Sequence, residues 1–120
     1  MIEIQNYIDG ELAAPVSGNY LENIEPAKGE VYSKIPDSDK RDIENATAAA
    51  LRAFPVWSKT PAKERSNILM RIAELIDQNS EMLAAAESRD NGKPIKLARS
   101  VDIPRARDNF HFFATGILHF

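Results

Sequence analysis

The sequence predicts a mixed α and β chain: two N-terminal β-hairpins followed by three or four helices, incomplete as a domain. Three observations predict it. Short runs separated by turn residues fill the first third. Apolar residues at helical spacing take over after Pro36. One of the predicted helices is as long as a globule of this chain would be wide.

The first hairpin rests on Asp9-Gly10, between Gln5-Asn6-Tyr7-Ile8 and Glu11-Leu12. An Asp-Gly pair supplies the positive φ that a type I′ turn needs at both central residues. Pro15-Val16-Ser17-Gly18 then breaks the chain. The second hairpin pairs Tyr20-Leu21-Glu22-Asn23-Ile24 with Glu30-Val31-Tyr32-Ser33-Lys34-Ile35, both alternating apolar and polar. Pro26 presets the turn between them and Gly29 closes it.

Asp39 is the expected N-cap of a helix running to Phe54, where Pro55 should end it. Its expected buried stripe is Ile43, Ala46, Ala50, Ala53 and Phe54, so mostly alanine and suited to a close partner. The next helix should open with Thr60 as N-cap and Pro61 at the first helical position. Ile68, Leu69, Ile72, Leu75, Ile76, Met82, Leu83 and Ala86 hold a helical period up to the stop at Asn91-Gly92. A helix over residues 62–89 would be about 40 Å long, against a diameter of roughly 35 Å for a compact chain of this size. That mismatch is the sign, from the residues alone, of a larger body or an oligomer. A short helical stretch over residues 95–99 should lead to a last helix opening at Pro104. Its apolar face would be Ala106, Phe110, Phe113, Ile117 and Phe120.

Several chemistries are excluded. The chain has no cysteine, so it holds no thiol nucleophile, disulfide or thiolate metal ligand. Its net charge is −3 and its basic clusters are interleaved with acids, which argues against nucleic acid as a partner. The start has no basic and apolar leader, and no apolar run could span a bilayer, so a cytoplasmic location without a membrane partner is expected. The five glycines stand apart, so no phosphate-cradling loop is expected. His111 and His119 lie eight residues apart, too far along a helix to share one ion. The run Phe110-His111-Phe112-Phe113 reads as core, with a stacking platform as the alternative.

Six pieces in order resemble the aldehyde dehydrogenase superfamily: Asn6 to Glu11, Ile24 to Val31, Ala48 to Trp57, Pro61 to Arg65, Ile72 to Ile76 and Glu87 to Pro94. The tail, Asp102-Ile103-Pro104-Arg105 and Asn109 to Ala114, looks like the subgroup acting on 2-aminomuconic and 2-hydroxymuconic semialdehydes. The resemblance implies an α/β fold, with residues 1–120 as the N-terminal segment of the NAD-binding domain (hairpins over 1–36, helices over 37–120). It implies a reaction in which NAD(P)⁺ oxidises an aldehyde to an acid through a cysteine thiolate, followed by glutamate-assisted hydrolysis. Those groups, the oxyanion-hole asparagine and the dinucleotide loops belong downstream in the family, so the segment alone is expected to be inactive, with no catalytic residue of its own.

Two site expectations follow from the resemblance. A monovalent cation would take the main-chain carbonyls of Asn23 and Ile24 and the carboxylate of Asp90; Asp90 reads equally well as a helix-end cap. Arg105 would hold a substrate carboxylate through two parallel hydrogen bonds, with Asn109 one turn on; a solvated arginine is the alternative. The usual Asn-Pro turn of the family reads Glu25-Pro26 here, which alters the local charge. The implied partners are the remainder of a full-length dehydrogenase or a homo-oligomer, and a small aldehyde. The rival reading is a non-catalytic oligomerisation or interaction module derived from the fold.

Overall fold

The computed structural model describes all residues from Met1 to Phe120. The chain divides into two compact units, Met1–Lys59 and Thr60–Phe120.

In the first unit, β1 (Ile2–Glu3), β2 (Asn6–Ile8), β3 (Glu11–Ala13), β4 (Tyr20–Glu25) and β5 (Glu30–Pro36) precede helix α1 (Lys40–Trp57). Strands β2 and β3 form the expected hairpin, with Asp9 at φ 57° and Gly10 at φ 83°. Strands β4 and β5 form the second, closed by a turn in which Gly29 has φ 71°. Asn23 faces Ser33 and Ile24 faces Val31, so Tyr32 is an extra residue on β5 and the ladder bulges there. The parallel pairing of β1 with β5, Ile2 beside Ser33, has no local signal in the sequence.

Asp39 caps α1 as expected, its carboxylate accepting from the Arg41 N–H at 2.8 Å. The reciprocal partner is Asp42, whose Oδ2 accepts from the Asp39 N–H at 2.9 Å and whose Oδ1 accepts from the Val16 N–H at 3.0 Å. This buried carboxylate closes a capping box and ties the Pro15-Val16 turn to the helix. The expected end at Pro55 is wrong. The helix continues to Trp57 with Pro55 inside its last turn, and the Ser58 N–H closes on the Phe54 carbonyl. Pro55 forfeits only the bond to the Leu51 carbonyl, and the helix runs on for less than a turn beyond it. The expected stripe is also not buried: Ile43 is 64% exposed and Phe54 63%. The spacing was right, but no large side chain in this unit covers it.

The second unit holds α2 (Ala62–Gln78), α3 (Ser80–Asn91), α4 (Ile95–Leu97), a π turn (Ala98–Asp102) and α5 (Ile103–Gly116). The single long helix expected over 62–89 is two helices, interrupted at Asn79 (φ −108°, ψ 17°). Its side-chain amide donates to the Leu75 carbonyl, competing with the helix ladder. Neither helix, at 17 and 12 residues, is as long as a globule of this chain would be wide. The start of α2 also differs by one residue: Pro61 is the cap, and its carbonyl accepts from the Glu64 and Arg65 N–H groups. Gly92, at φ 76°, ends α3 as expected.

The last helix opens at Ile103, one residue before the expected Pro104, and follows directly on the preceding helical turn. Helices α4 and α5 are joined through the π turn, and Pro104 lies inside a continuous helical run. A proline in that position offers no N–H and its ring presses on the carbonyl four residues back, that of Ser100. The wider π turn accommodates it, the Ile103 N–H reaching the Ala98 carbonyl five residues back. The expected apolar face of this helix is largely uncovered, with Phe113 60% exposed and Phe120 fully so. What the unit buries is small: Ser66, Ala73, Ala84, Ala98 and Ala114. The Ser66 hydroxyl donates to the Ala114 carbonyl at 2.6 Å, drawing α2 against α5.

Candidate functional site

Arg105 and Asn109 project from α5 one turn apart, and both side chains are exposed. The arginine between them in sequence is committed elsewhere. Arg107 donates to Asp77 on α2 at 2.8 Å and pairs with Asp108 at 2.8 Å. Hydrogen bonding to these two carboxylates, Asp108 first, holds its pKa above the ordinary arginine value. Arg105 makes no ion pair, so its guanidinium is available to an incoming anion. Because the π turn runs directly into α5, Arg105 sits within a continuous helical run.

Asn109 lines an apolar groove of about 180 Å³ with Leu69, Phe110 and Phe113. A second cleft between α2 and α5, about 380 Å³, is bordered by Met70, Asp77, Arg107, Asp108 and His111. Sequence reasoning missed it, because its two walls are separated by thirty residues of chain, the span of the Arg107–Asp77 bond. His119 lies beyond the helix, its N–H on the Gly116 carbonyl.

The proposed cation ligands are divided between the units. Asn23 and Ile24 stand at the bulge of the first, where the Asn23 amide donates to the Tyr32 hydroxyl (3.0 Å) and Ser33 hydroxyl (3.1 Å). Asp90 is an exposed residue in the last turn of α3, in the second.

The glycines stand apart along the chain, without the clustered spacing of a dinucleotide-binding loop. No helix of the chain is long and apolar enough to cross a membrane.

The family model described as "Aldehyde dehydrogenase family" matches residues 13–119. The chain belongs to the aldehyde dehydrogenase family. A 2-aminomuconic semialdehyde dehydrogenase of Bos taurus is 50% identical over 99% of this chain and 24% of its own length. A crystal structure of PnpE in complex with nicotinamide adenine dinucleotide is 38% identical, with a TM-score of 0.92 over 93% of this chain and 23% of its own. Indole-3-acetaldehyde dehydrogenase in complex with NAD⁺ is 33% identical, with a TM-score of 0.96 over 100% of this chain and 25% of its own. The chain thus spans about a quarter of the length of these relatives. The resemblance drawn from the six ordered pieces, and from the tail toward the semialdehyde subgroup, is upheld. The interaction-module alternative gains no support from these dehydrogenase relatives.

Proposed function

We propose that this chain serves as the leading segment of the NAD-binding domain of an NAD-linked dehydrogenase that oxidises a semialdehyde to an acid, and that Arg105 receives the substrate's carboxylate. The observation that carries the proposal is the unpaired, exposed guanidinium of Arg105 on a helix whose neighbouring arginine is held by two aspartates. A planar guanidinium can donate two parallel hydrogen bonds to one carboxylate. Asn109, one turn on, adds an amide at the edge of an apolar groove, a setting suited to a carbon chain with a polar end. Nicotinamide cofactor, when bound to the whole enzyme, supplies the hydride acceptor; without a cysteine this segment turns over no aldehyde by itself.

Large apolar side chains on the faces of α1 and α5 need a cover, which suits a larger enzyme or a homo-oligomer.

The test is Arg105→Ala in the full-length dehydrogenase that carries this segment. KM for a semialdehyde bearing a carboxylate should rise by roughly ten- to a hundredfold, the worth of hydrogen bonds to a charged group. KM for an uncharged aldehyde of the same length should hold. Equal losses on both substrates would sink the assignment.

A further inference from the structure

We propose that the π turn Ala98–Asp102, latched by the Lys93–Asp102 ion pair, sets the rotational position of Arg105 and Asn109 and so fixes selectivity for a carboxylated substrate. The inference rests on the reading of Arg105 given above. Lys93 and Asp102 are positioning residues in it.

A helix that carries one extra residue in a widened turn presents everything beyond that turn rotated by about 100° relative to an unbroken α-helix. Arg105 follows the turn by three residues and Asn109 by seven. The direction of both side chains is thus a consequence of where the extra residue is held. Pro104 explains why a wide turn forms, since its ring and missing N–H disfavour tight α geometry against Ser100. It does not by itself hold the turn at this place.

The holding is done from outside the helix. Lys93 Nζ lies 2.6 Å from Asp102 Oδ2, at the last residue of the turn, and 3.6 Å from Glu87. The Lys93 backbone is itself fixed at both ends. Its N–H donates to Asn91 Oδ1 at 2.8 Å, and its carbonyl accepts from the Ser88 hydroxyl at 2.6 Å. Below it, Ala98 at the start of the turn is fully buried, so the turn is pinned at both its first and last residue. The hydrogen bond from Lys93 to Asp102 raises the lysine pKa above its ordinary value, so the ammonium stays charged across the range in which the enzyme would work. Both side chains are about a third exposed, 31% and 29%. A pair so placed adds little to stability, but a short, singly determined contact still fixes geometry.

The experiment uses the full-length dehydrogenase with Asp102→Asn, Lys93→Met, Lys93→Arg and Arg105→Ala. Steady-state kinetics are measured on a carboxylated semialdehyde and on an uncharged aldehyde of equal length. Asp102→Asn and Lys93→Met should each raise KM for the carboxylated substrate by about tenfold, as expected for a displaced binding group. Their kcat, and their KM for the uncharged aldehyde, should stay near the parent values. Lys93→Arg, which keeps the charge, should restore most of the affinity. Equal losses on both substrates, or a lower thermal midpoint without a KM split, would overturn the positioning role. So would parent-like kinetics in Asp102→Asn while Arg105→Ala shows the split, and that result would leave the Arg105 assignment standing. No split in Arg105→Ala would remove that assignment and this inference together. Should Lys93→Met fail to fold, Asp102→Asn, which keeps the side-chain shape, decides the matter.

Discussion

The two units solve the same problem with different materials. The first, Met1–Lys59, buries Pro15, Glu25, Ser33 and Asp42, and is held by strand ladders and by one carboxylate that serves both a turn and a helix start. The second, Thr60–Phe120, buries four alanines and a serine, and is held by helices that approach closely. Neither buries a large apolar side chain, although 43% of the residues are hydrophobic. The first unit therefore depends on polar satisfaction and the second on the absence of bulk. They should fail to opposite kinds of substitution.

The sharpest test removes the polar hub. Asp42→Ala leaves the Val16 and Asp39 N–H groups without their acceptor, at a cost of about 2–3 kcal/mol. Native-state hydrogen exchange should show lost protection in the first unit and little change in the second; equal loss in both would break the comparison. The second unit should be hurt by growth instead. Ala114→Leu, at a fully buried position beside the Ser66 bond, should cost about 1–3 kcal/mol through overpacking. The same measurement should then show the loss confined to α2 and α5. Gly92→Ala forces a side chain onto a residue at φ 76° and should cost about 1 kcal/mol or slightly more, read as faster exchange in the last turn of α3.

The smallest effect is electrostatic. Hydrogen bonding to Arg41, first through its side chain and then through its backbone, holds the Asp39 carboxyl below the ordinary carboxylate range. A depressed folded-state pKa means that the contribution is present above the unfolded value. It fades as pH falls through the ordinary range and is gone below the lowered folded value. Exchange at the start of α1 should therefore quicken on acidification more than exchange at the start of α2, where no side chain caps the helix. Parallel acid profiles at the two starts would count against this difference.

Local chemistry was legible in the sequence, and distant chemistry was not. Asp9-Gly10, Gly29, Asp39 and Gly92 each announce a turn or an end through their own conformational preference, and all four do so in the structure. The break at Asn79 has a signal in the sequence: Asp77 to Glu81 is five polar residues in a row, across which the helical period keeps its phase. Pro104 marks the opening of α5 to within one residue, but gives no sign that a π turn joins it to the helix before. Periodicity identified the apolar faces, but it reports direction and not whether anything covers them. Asp42 could have been found, since an acid three residues after an N-cap is the capping-box pattern. The β1–β5 pairing and the Lys93–Asp102 latch join residues that no short-range rule connects. Arg105 and Asn109 came from the resemblance alone; the structure adds the freedom of one and the groove beside the other.

An interior of alanine and serine also has a thermal signature. Heat capacity and denaturant sensitivity both scale with the apolar surface that unfolding newly exposes. Here much of that surface already faces water: Phe54, Val56, Phe112 and Phe113 are each 60–77% exposed. The heat-capacity increment of this segment should fall well below the usual value of about 12–15 cal/mol/K per residue. Its stability curve should be correspondingly flat, with broad transitions in both heat and urea, until those side chains are withdrawn from water.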